Sequence, residues 1–293
     1  MRIPPLVNKL LKRPNLTDSI GANHNVGREA TPIRRSSCYV GDYTVLTTTI
    51  FGHKMFVDSR DVSLSPFIIC DGHWELWISN FVRSTLRAGM MAVEIGSNCG
   101  YYSVLIADLI GKNGRLFAFD ANPRMHELTQ KNLEMNGFRG RSQVFNKAVS
   151  DRAGVAEFFV FRHHFGSSSL YDLSALAEQY GDKAKPIVVE TVRLQDVLGE
   201  AAVVDFLKID AEGSERLILD SAWPLIQKNR GIQIVVEYAV GNFPSKDVAT
   251  SYLSRFVAEG FLLRQIVPGS GSTPIIIEEL LELEWGELYL CRN

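Results

Sequence analysis

The spacing of apolar residues along this chain changes near Gly89. From Tyr39 to Ile69, short runs of Thr, Val, Ile, Tyr and Phe are broken by turn signals at Gly41-Asp42, Gly52-His53 and Asp58-Ser59. That pattern predicts short strands in hairpins. Residues 74–88 place apolar groups at helical intervals, and Gly89 ends the run. Beyond Gly89, uninterrupted apolar strands alternate with helices. Strands are expected at Met91–Gly96, Leu116–Asp120, Gln143–Val149, Val203–Ile209, Ile232–Tyr238 and Gly286–Cys291. Helices are expected at about Tyr101–Ile110, Pro123–Asn136, from Glu215, and at Lys246–Glu259. Strands that are apolar throughout are covered on both faces, so the expectation is an α/β fold with a parallel sheet between two helical layers.

Three further divisions follow. Residues 1–36 carry several prolines and an excess of Arg and Lys, and read as an irregular basic leader. Residues 37–72 form a β-rich N-terminal region, and 73–293 the α/β domain with an insertion at about 150–200. Within that insertion, Val155–Phe161 and Ile187–Leu194 are strand-like and flank a polar stretch with His163, His164 and Ser167–Ser169.

Composition narrows the partners. The formal net charge is -2, so the whole chain offers no electrostatic case for nucleic acid. The leader alone could touch an anionic membrane surface, against the blander reading of a solvated arm. Lys9, Lys12 and Arg13 interrupt any signal-peptide core, and no apolar run is long enough to span a bilayer. Cys38, Cys70, Cys99 and Cys291 are widely spaced, which suits a reducing cytoplasm, and the basic leader would allow a place at the inner face of the membrane. A homodimer is compatible with the chain but carries no sequence signal.

The chemistry concentrates in Val93-Glu94-Ile95-Gly96-Ser97-Asn98-Cys99-Gly100-Tyr101-Tyr102-Ser103. A buried strand ends in Gly-x-x-x-Gly and a helix begins, so small residues let a ligand approach the helix N-terminus. A dinucleotide site wants a middle glycine for the pyrophosphate, and Asn98 stands there instead. Glu94, entering the loop, suits an ammonium better than a phosphate. S-adenosylmethionine carries an ammonium and no phosphate. Asp120 ends the next strand about twenty residues on, where a carboxylate can accept both ribose hydroxyls. Capping of the following helix is the competing role. Ala121 and Asn122 follow it toward the same ligand, and Asn146 and Ala148 lie where an adenine edge could be read. Glu75, opening the helix before the first strand, could reach the methionine ammonium.

The fourth strand ends in Leu207-Lys208-Ile209-Asp210-Ala211-Glu212-Gly213-Ser214-Glu215. With the loop, this segment resembles the FkbM family of S-adenosylmethionine-dependent methyltransferases. That family shows a Val-Asp-Ile-Gly-Ala-Asn-x-Gly-Tyr-Tyr type loop and a Lys-Ile-Asp-Val-Glu-Gly-x-Glu type segment. The resemblance runs from about Gly72 to Arg292. Glu94, Ser97 and Asp120 replace the family's common Asp, Ala and Glu, and each keeps the needed chemistry. The resemblance implies a class I methyltransferase fold, Rossmann-like, with seven strands of which the last is antiparallel. It also implies O-methylation, often of sugar hydroxyls in surface polysaccharides, glycolipids or related products, with S-adenosylhomocysteine as the product.

Methyl transfer to an alcohol needs its proton removed. Asp210, Glu212 and Glu237 are the carboxylates expected at the ligand edge of the fourth and fifth strands, and are read as catalytic, with Asp210 also counted among the cofactor-binding residues. Together they suit a base or a hard cation, although no metal ligand set is assigned. His164 is a second candidate base, from the insertion. Phe165–Ser169 could follow a ligand or form a surface turn. The rival readings are a nicotinamide-dependent oxidoreductase, disfavoured by the absent middle glycine, and a catalytically silent S-adenosylmethionine-binding protein.

Overall fold

A computed structural model describes residues 36–199, 202–269 and 271–292. The basic leader, apart from Ser36, lies outside the described residues, as do any contacts expected of it. The described residues open with an antiparallel sheet of β1 (Cys38–Gly41), β2 (Thr44–Thr48) and β3 (Lys54–Asp58). Two helices follow, α1 (Ser65–Cys70) and α2 (Leu76–Thr85). Then come β4 (Met91–Ile95), α3 (Tyr101–Leu109), β5 (Arg115–Phe119), α4 (Pro123–Met135) and β6 (Ser142–Phe145). The insertion holds β7 (Ala148–Val149), β8 (Gly154–Phe161), α5 (Ser174–Gln179) and β9 (Ala184–Val192), followed by α6 (Leu194–Leu198). The remainder is β10 (Phe206–Ile209), α7 (Glu215–Ser221), α8 (Trp223–Lys228), β11 (Gln233–Tyr238), α9 (Lys246–Ala258), β12 (Leu262–Val267), β13 (Gly271–Pro274), α10 (Ile277–Leu280) and β14 (Gly286–Cys291).

The central sheet runs β13-β12-β14-β11-β10-β4-β5-β6. Strands β4, β5, β6, β10 and β11 are mutually parallel, and β14 inserts antiparallel between β11 and β12. This is the class I methyltransferase order, with an eighth strand where seven were expected. The extra strand, β13, is a hairpin return that pairs only with β12 at the sheet edge. Because strand side chains alternate between faces, the sheet separates two cores. Ala92, Phe206 and Val235 pack beneath α2, α3 and α4, and Met55, Val57 and Ile68 from the N-terminal region join the same cluster. Val93, Leu207 and Ile234 face the opposite way, toward α7, α8 and α9. No helix among the described residues is long and apolar enough to cross a membrane.

Two elements depart from the sequence reading. Ser65–Cys70 is helical rather than extended, because Asp61 supplies an N-terminal anchor. Its carboxylate accepts the N–H groups of Leu64 at 3.0 Å and Ser65 at 2.7 Å, and Pro66 pre-sets the first turn. The third strand of the sheet stops at Phe145 instead of running to Val149. Asn146 turns away and donates its side-chain amide to the carbonyls of Asp120 and Ala121, while Ala148–Val149 pairs with β9 in a separate three-stranded sheet.

Candidate functional site

The cleft lies at the carboxyl ends of β4, β5 and β10. Its floor begins with Gly96, at φ +81°, where an added Cβ would stand 1.8 Å from the carbonyl oxygen of Asp210. Only glycine permits that approach of the turn to the segment leaving β10. The N–H groups of Gly96 and Ser97 both donate to the Phe119 carbonyl, so the turn is fastened to β5 as well. Asn98 follows in the left-handed region at φ +50°, which its short polar side chain tolerates. Its Oδ1 accepts the N–H of Cys99.

Asp120 organises the opposite lip. Oδ2 accepts the Asn98 N–H at 2.7 Å and Oδ1 accepts the Asn122 N–H at 2.8 Å. The helix cap expected as its competing role belongs to Asn122, whose Oδ1 accepts the Arg124 N–H at the start of α4. Burial pushes the Asp120 carboxyl up to about 7, against the two backbone donors. Asn122 is buried, and its Nδ2 has no hydrogen-bond partner among the described residues.

A charged layer lies under the floor, on the sheet face covered by α3. Register pairs Glu94 with Lys208 across β4 and β10, and Glu237 with Glu287 across β11 and β14. The Lys208 ammonium is buried 3.4 Å from Asp210 and 4.6 Å above the Tyr102 ring centroid. Burial opposes its charge, but Asp210, Glu287, Glu94 and Glu75 outweigh burial and hold it protonated. Glu94 is pushed up to about 8 by burial, although Lys208 and the Ser103 hydroxyl, which donates to it, favour the charged form.

The acids after β10 gather at the far end. Oxygens of Asp210, Glu212 and Glu237 lie within 4.8 Å of one another. Glu212 enters from a left-handed backbone position, φ +48°. Glu215 braces this loop by accepting the N–H groups of Ala211 and Gly213. Trp285 Nε1 donates to Glu237.

The roof comes from two distant segments. The N–H of Val62 donates to the His163 carbonyl at 2.8 Å, joining the N-terminal region to the insertion. Ser63 and Leu64 line the cleft from one side, and Phe165–Ser168 from the other. Ser169 Oγ donates to the Glu212 carbonyl, which ties the insertion to the acidic loop.

The cleft has about 1180 Å³ of space, part of it open to solvent. Of the residues expected from sequence, Gly96, Ser97, Asn98, Tyr101 and Tyr102 line it from the loop side. Asp120, Ala121, Asn122 and Ala148 line the second wall, and Asp210 and Glu212 the third. Several others do not reach the lining. Glu94 points beneath the floor because strand alternation turns it to the α3 face. Ser103 is its donor there, and Gly100 packs on Thr129. Glu75 is buried behind Trp74 and accepts from the Tyr102 hydroxyl at 3.4 Å. Asn146 is exposed and spent on the backbone of Asp120 and Ala121, so its neighbour Lys147 lines the cleft instead. Glu237 sits behind the lining with Trp285. His164 is turned to Asp182, whose carboxylate meets its Nδ1 at 2.9 Å, and its ring stacks on Tyr180.

Lys147, Lys208, Ser214 and Glu287 were not singled out by sequence. Lys208 and Ser214 sit inside the conspicuous Leu207–Glu215 segment, a signal that could have found them. Glu287 stands in the short terminal strand β14, whose own pattern offered none.

The sequence model of the Methyltransferase FkbM domain matches residues 94–258. A protein-L-isoaspartate O-methyltransferase of Methanothrix thermoacetophila is 34% identical over 79 residues, covering 24% of this chain and 38% of that protein. Its counterpart in Caenorhabditis elegans is 24% identical over 142 residues, covering 47% and 61%. This chain therefore spans less than two thirds of the length of these curated relatives. Among solved structures, the SAM-dependent O-methyltransferase of Thermotoga maritima aligns with TM-score 0.40 at 14% identity, covering 84% of this chain and 77% of that one. The O-methyltransferase TomG of Streptomyces achromogenes, in complex with SAM, gives 0.43 at 16%, covering 78% and 86%.

Proposed function

Since this chain belongs to the methyltransferase FkbM domain family, we propose that it transfers a methyl group from S-adenosylmethionine to a hydroxyl oxygen of a sugar-type acceptor. The observation that carries this reading is Asp120, held at the cleft wall by two backbone donors with room on its oxygens for a diol. The residues around it fit the donor molecule. Ala121, Ala148, Val149, Phe158 and Leu170 make an apolar wall suited to a flat ring, and the buried Asn122 Nδ2 has a hydrogen bond to give.

When bound, S-adenosylmethionine supplies an electrophilic methyl on a positively charged sulfur. The chain's part is positioning and proton removal. Asp120 would orient the donor through its ribose. Tyr101, Tyr102 and Trp74 add aromatic residues to the lining. Asp210 or Glu212, the carboxylates of the third wall, would take the hydroxyl proton as the oxygen forms its bond to carbon and the carbon–sulfur bond breaks. Ser63, Ser167 and Ser168 line the roof; the Ser63 hydroxyl donates to Asp61 and the Ser168 hydroxyl accepts from Phe161, and this polar lining favours a polar acceptor such as a sugar over an apolar one.

Two measurements test the reading. Titration calorimetry should detect S-adenosylhomocysteine binding and no comparable binding of NAD. Labelled S-adenosylmethionine incubated with glycan extracts should then label a sugar ether. Binding of NAD in preference to S-adenosylhomocysteine would refute the assignment.

A further inference from the structure

We propose that Asp210, Glu212 and Glu237 form a site for one hard divalent cation, Mg2+ or Mn2+, at the acidic end of the cleft. The strands dictate the arrangement. Asp210 leaves β10 beside Glu237 on the parallel neighbour β11, the loop after β10 carries Glu212, and an oxygen from each of the three carboxylates lies within 4.8 Å of the other two. Adjacent oxygens on an octahedral Mg2+ stand about 3 Å apart and opposite ones about 4.2 Å, so modest closure completes such a triad. Oxygen donors without thiolate or imidazole select hard cations over zinc or copper.

A separate observation points to the same ligand. Glu287 lies directly across β14 from Glu237, so the two side chains share a sheet face and adjoin. It is 2% exposed, and neither of its oxygens has a hydrogen-bond partner among the described residues. A buried carboxyl in that state lacks the donors that native interiors nearly always provide. Water carried by a cation on Glu237 would supply them. Ser214 Oγ, at 2% exposure and on the lining beside Glu212, also lacks a partner among the described residues. Lys208 does not replace the cation, since Asp210, Glu287, Glu94 and Glu75 all draw on its single charge.

Asp210 and Glu212 line the cleft while Glu237 anchors from behind, so the open coordination positions face the acceptor. There the cation would acidify a bound hydroxyl, a use that rests on the methyltransferase reading. Binding of the ion does not.

The test is Mn2+ titration of the full chain, freed of metal by chelation, followed by electron paramagnetic resonance. Wild type should bind one Mn2+ per chain, displaced by Mg2+. Glu212→Gln and Glu237→Gln should weaken it by about tenfold or more, while surface Glu127→Gln leaves it unchanged. Lack of Mn2+ binding by wild type at millimolar concentration overturns the proposal whether or not the variants fold. So does affinity unchanged in both folded variants. Calorimetry with S-adenosylhomocysteine, run in parallel, separates the two readings. Mn2+ bound without S-adenosylhomocysteine would leave the ion site standing and remove the donor assignment. The reverse outcome would remove the ion site alone.

Discussion

The Asp120 carboxylate accepts the backbone N–H of Asn98 at 2.7 Å, so the end of β5 grips the turn that leaves β4. One side chain thereby shapes the loop and presents its remaining lone pairs to the cleft.

Removing that grip should weaken donor binding twice over. Asp120→Ala is expected to lower S-adenosylhomocysteine affinity by roughly 10- to 100-fold, the equivalent of one charge-assisted hydrogen bond of about 1.5–3 kcal/mol. Asp120→Asn should fall between the variant and wild type. Calorimetry reads both, and unchanged affinity in the alanine variant would sink the assignment of Asp120.

Asp120 also sets a pH dependence. Its carboxyl is raised from 3.8 to about 7, so between those values the folded chain holds a proton that the unfolded chain has lost. The group's contribution to stability is therefore greatest below 3.8 and declines as pH rises toward 7. Donor binding runs the other way, since the ionised carboxylate is the better acceptor for a diol. Affinity for S-adenosylhomocysteine should climb from pH 6 to pH 8 in wild type, and the slope should flatten in Asp120→Asn. Glu94, pushed up to about 8, titrates in the upper part of that range in both proteins. Identical slopes would remove Asp120 as the cause.

Gly96→Ala should be severe. The new methyl would meet the Asp210 carbonyl at 1.8 Å, a backbone atom that cannot swing aside, and φ +81° adds its own strain. A loss of about 3 kcal/mol or more is expected, seen as a lower melting temperature or insoluble expression. A variant as stable as wild type would contradict the described turn.

Asn132 carries the join between the N-terminal sheet and the α/β core. From α4, its Oδ1 accepts the Phe56 N–H at 2.6 Å, and its Nδ2 donates to the carbonyls of Phe56 at 2.9 Å and Cys99 at 2.7 Å. Asn132→Ala leaves three backbone groups without these bonds in a buried place, at a cost of about 3 kcal/mol. Denaturant unfolding should show that loss. An effect below about 0.5 kcal/mol would mean that water replaces the amide freely.

Most of the architecture was readable along the chain, because the signals are local. The β-favouring run Phe206–Ile209, though interrupted by Lys208, is a strand buried throughout, and Gly286–Cys291 is a strand over the expected limits. Gly96 and Gly100 mark a turn through their own conformational freedom. The Leu207–Glu215 segment carries its acids in full view, and its place at the strand end follows from the fold class alone.

What had to wait for the folded chain depends on which groups come within reach of one another in space. Asp61 made a helix of Ser65–Cys70 by a capping geometry that β-favouring Phe67, Ile68 and Ile69 conceal. Asn146 cut the third strand short because carbonyls of Asp120 and Ala121 stood within its reach. Glu94 went beneath the floor through period-two alternation, and only register shows that Lys208 lies beside it. Glu287 met Glu237 through antiparallel pairing of β14 with β11, a contact set by hydrogen-bond register. Propensity and apolar spacing act over a few neighbouring residues, whereas side-chain charge acts through space, so partners in an active site are chosen only once the strands have been aligned.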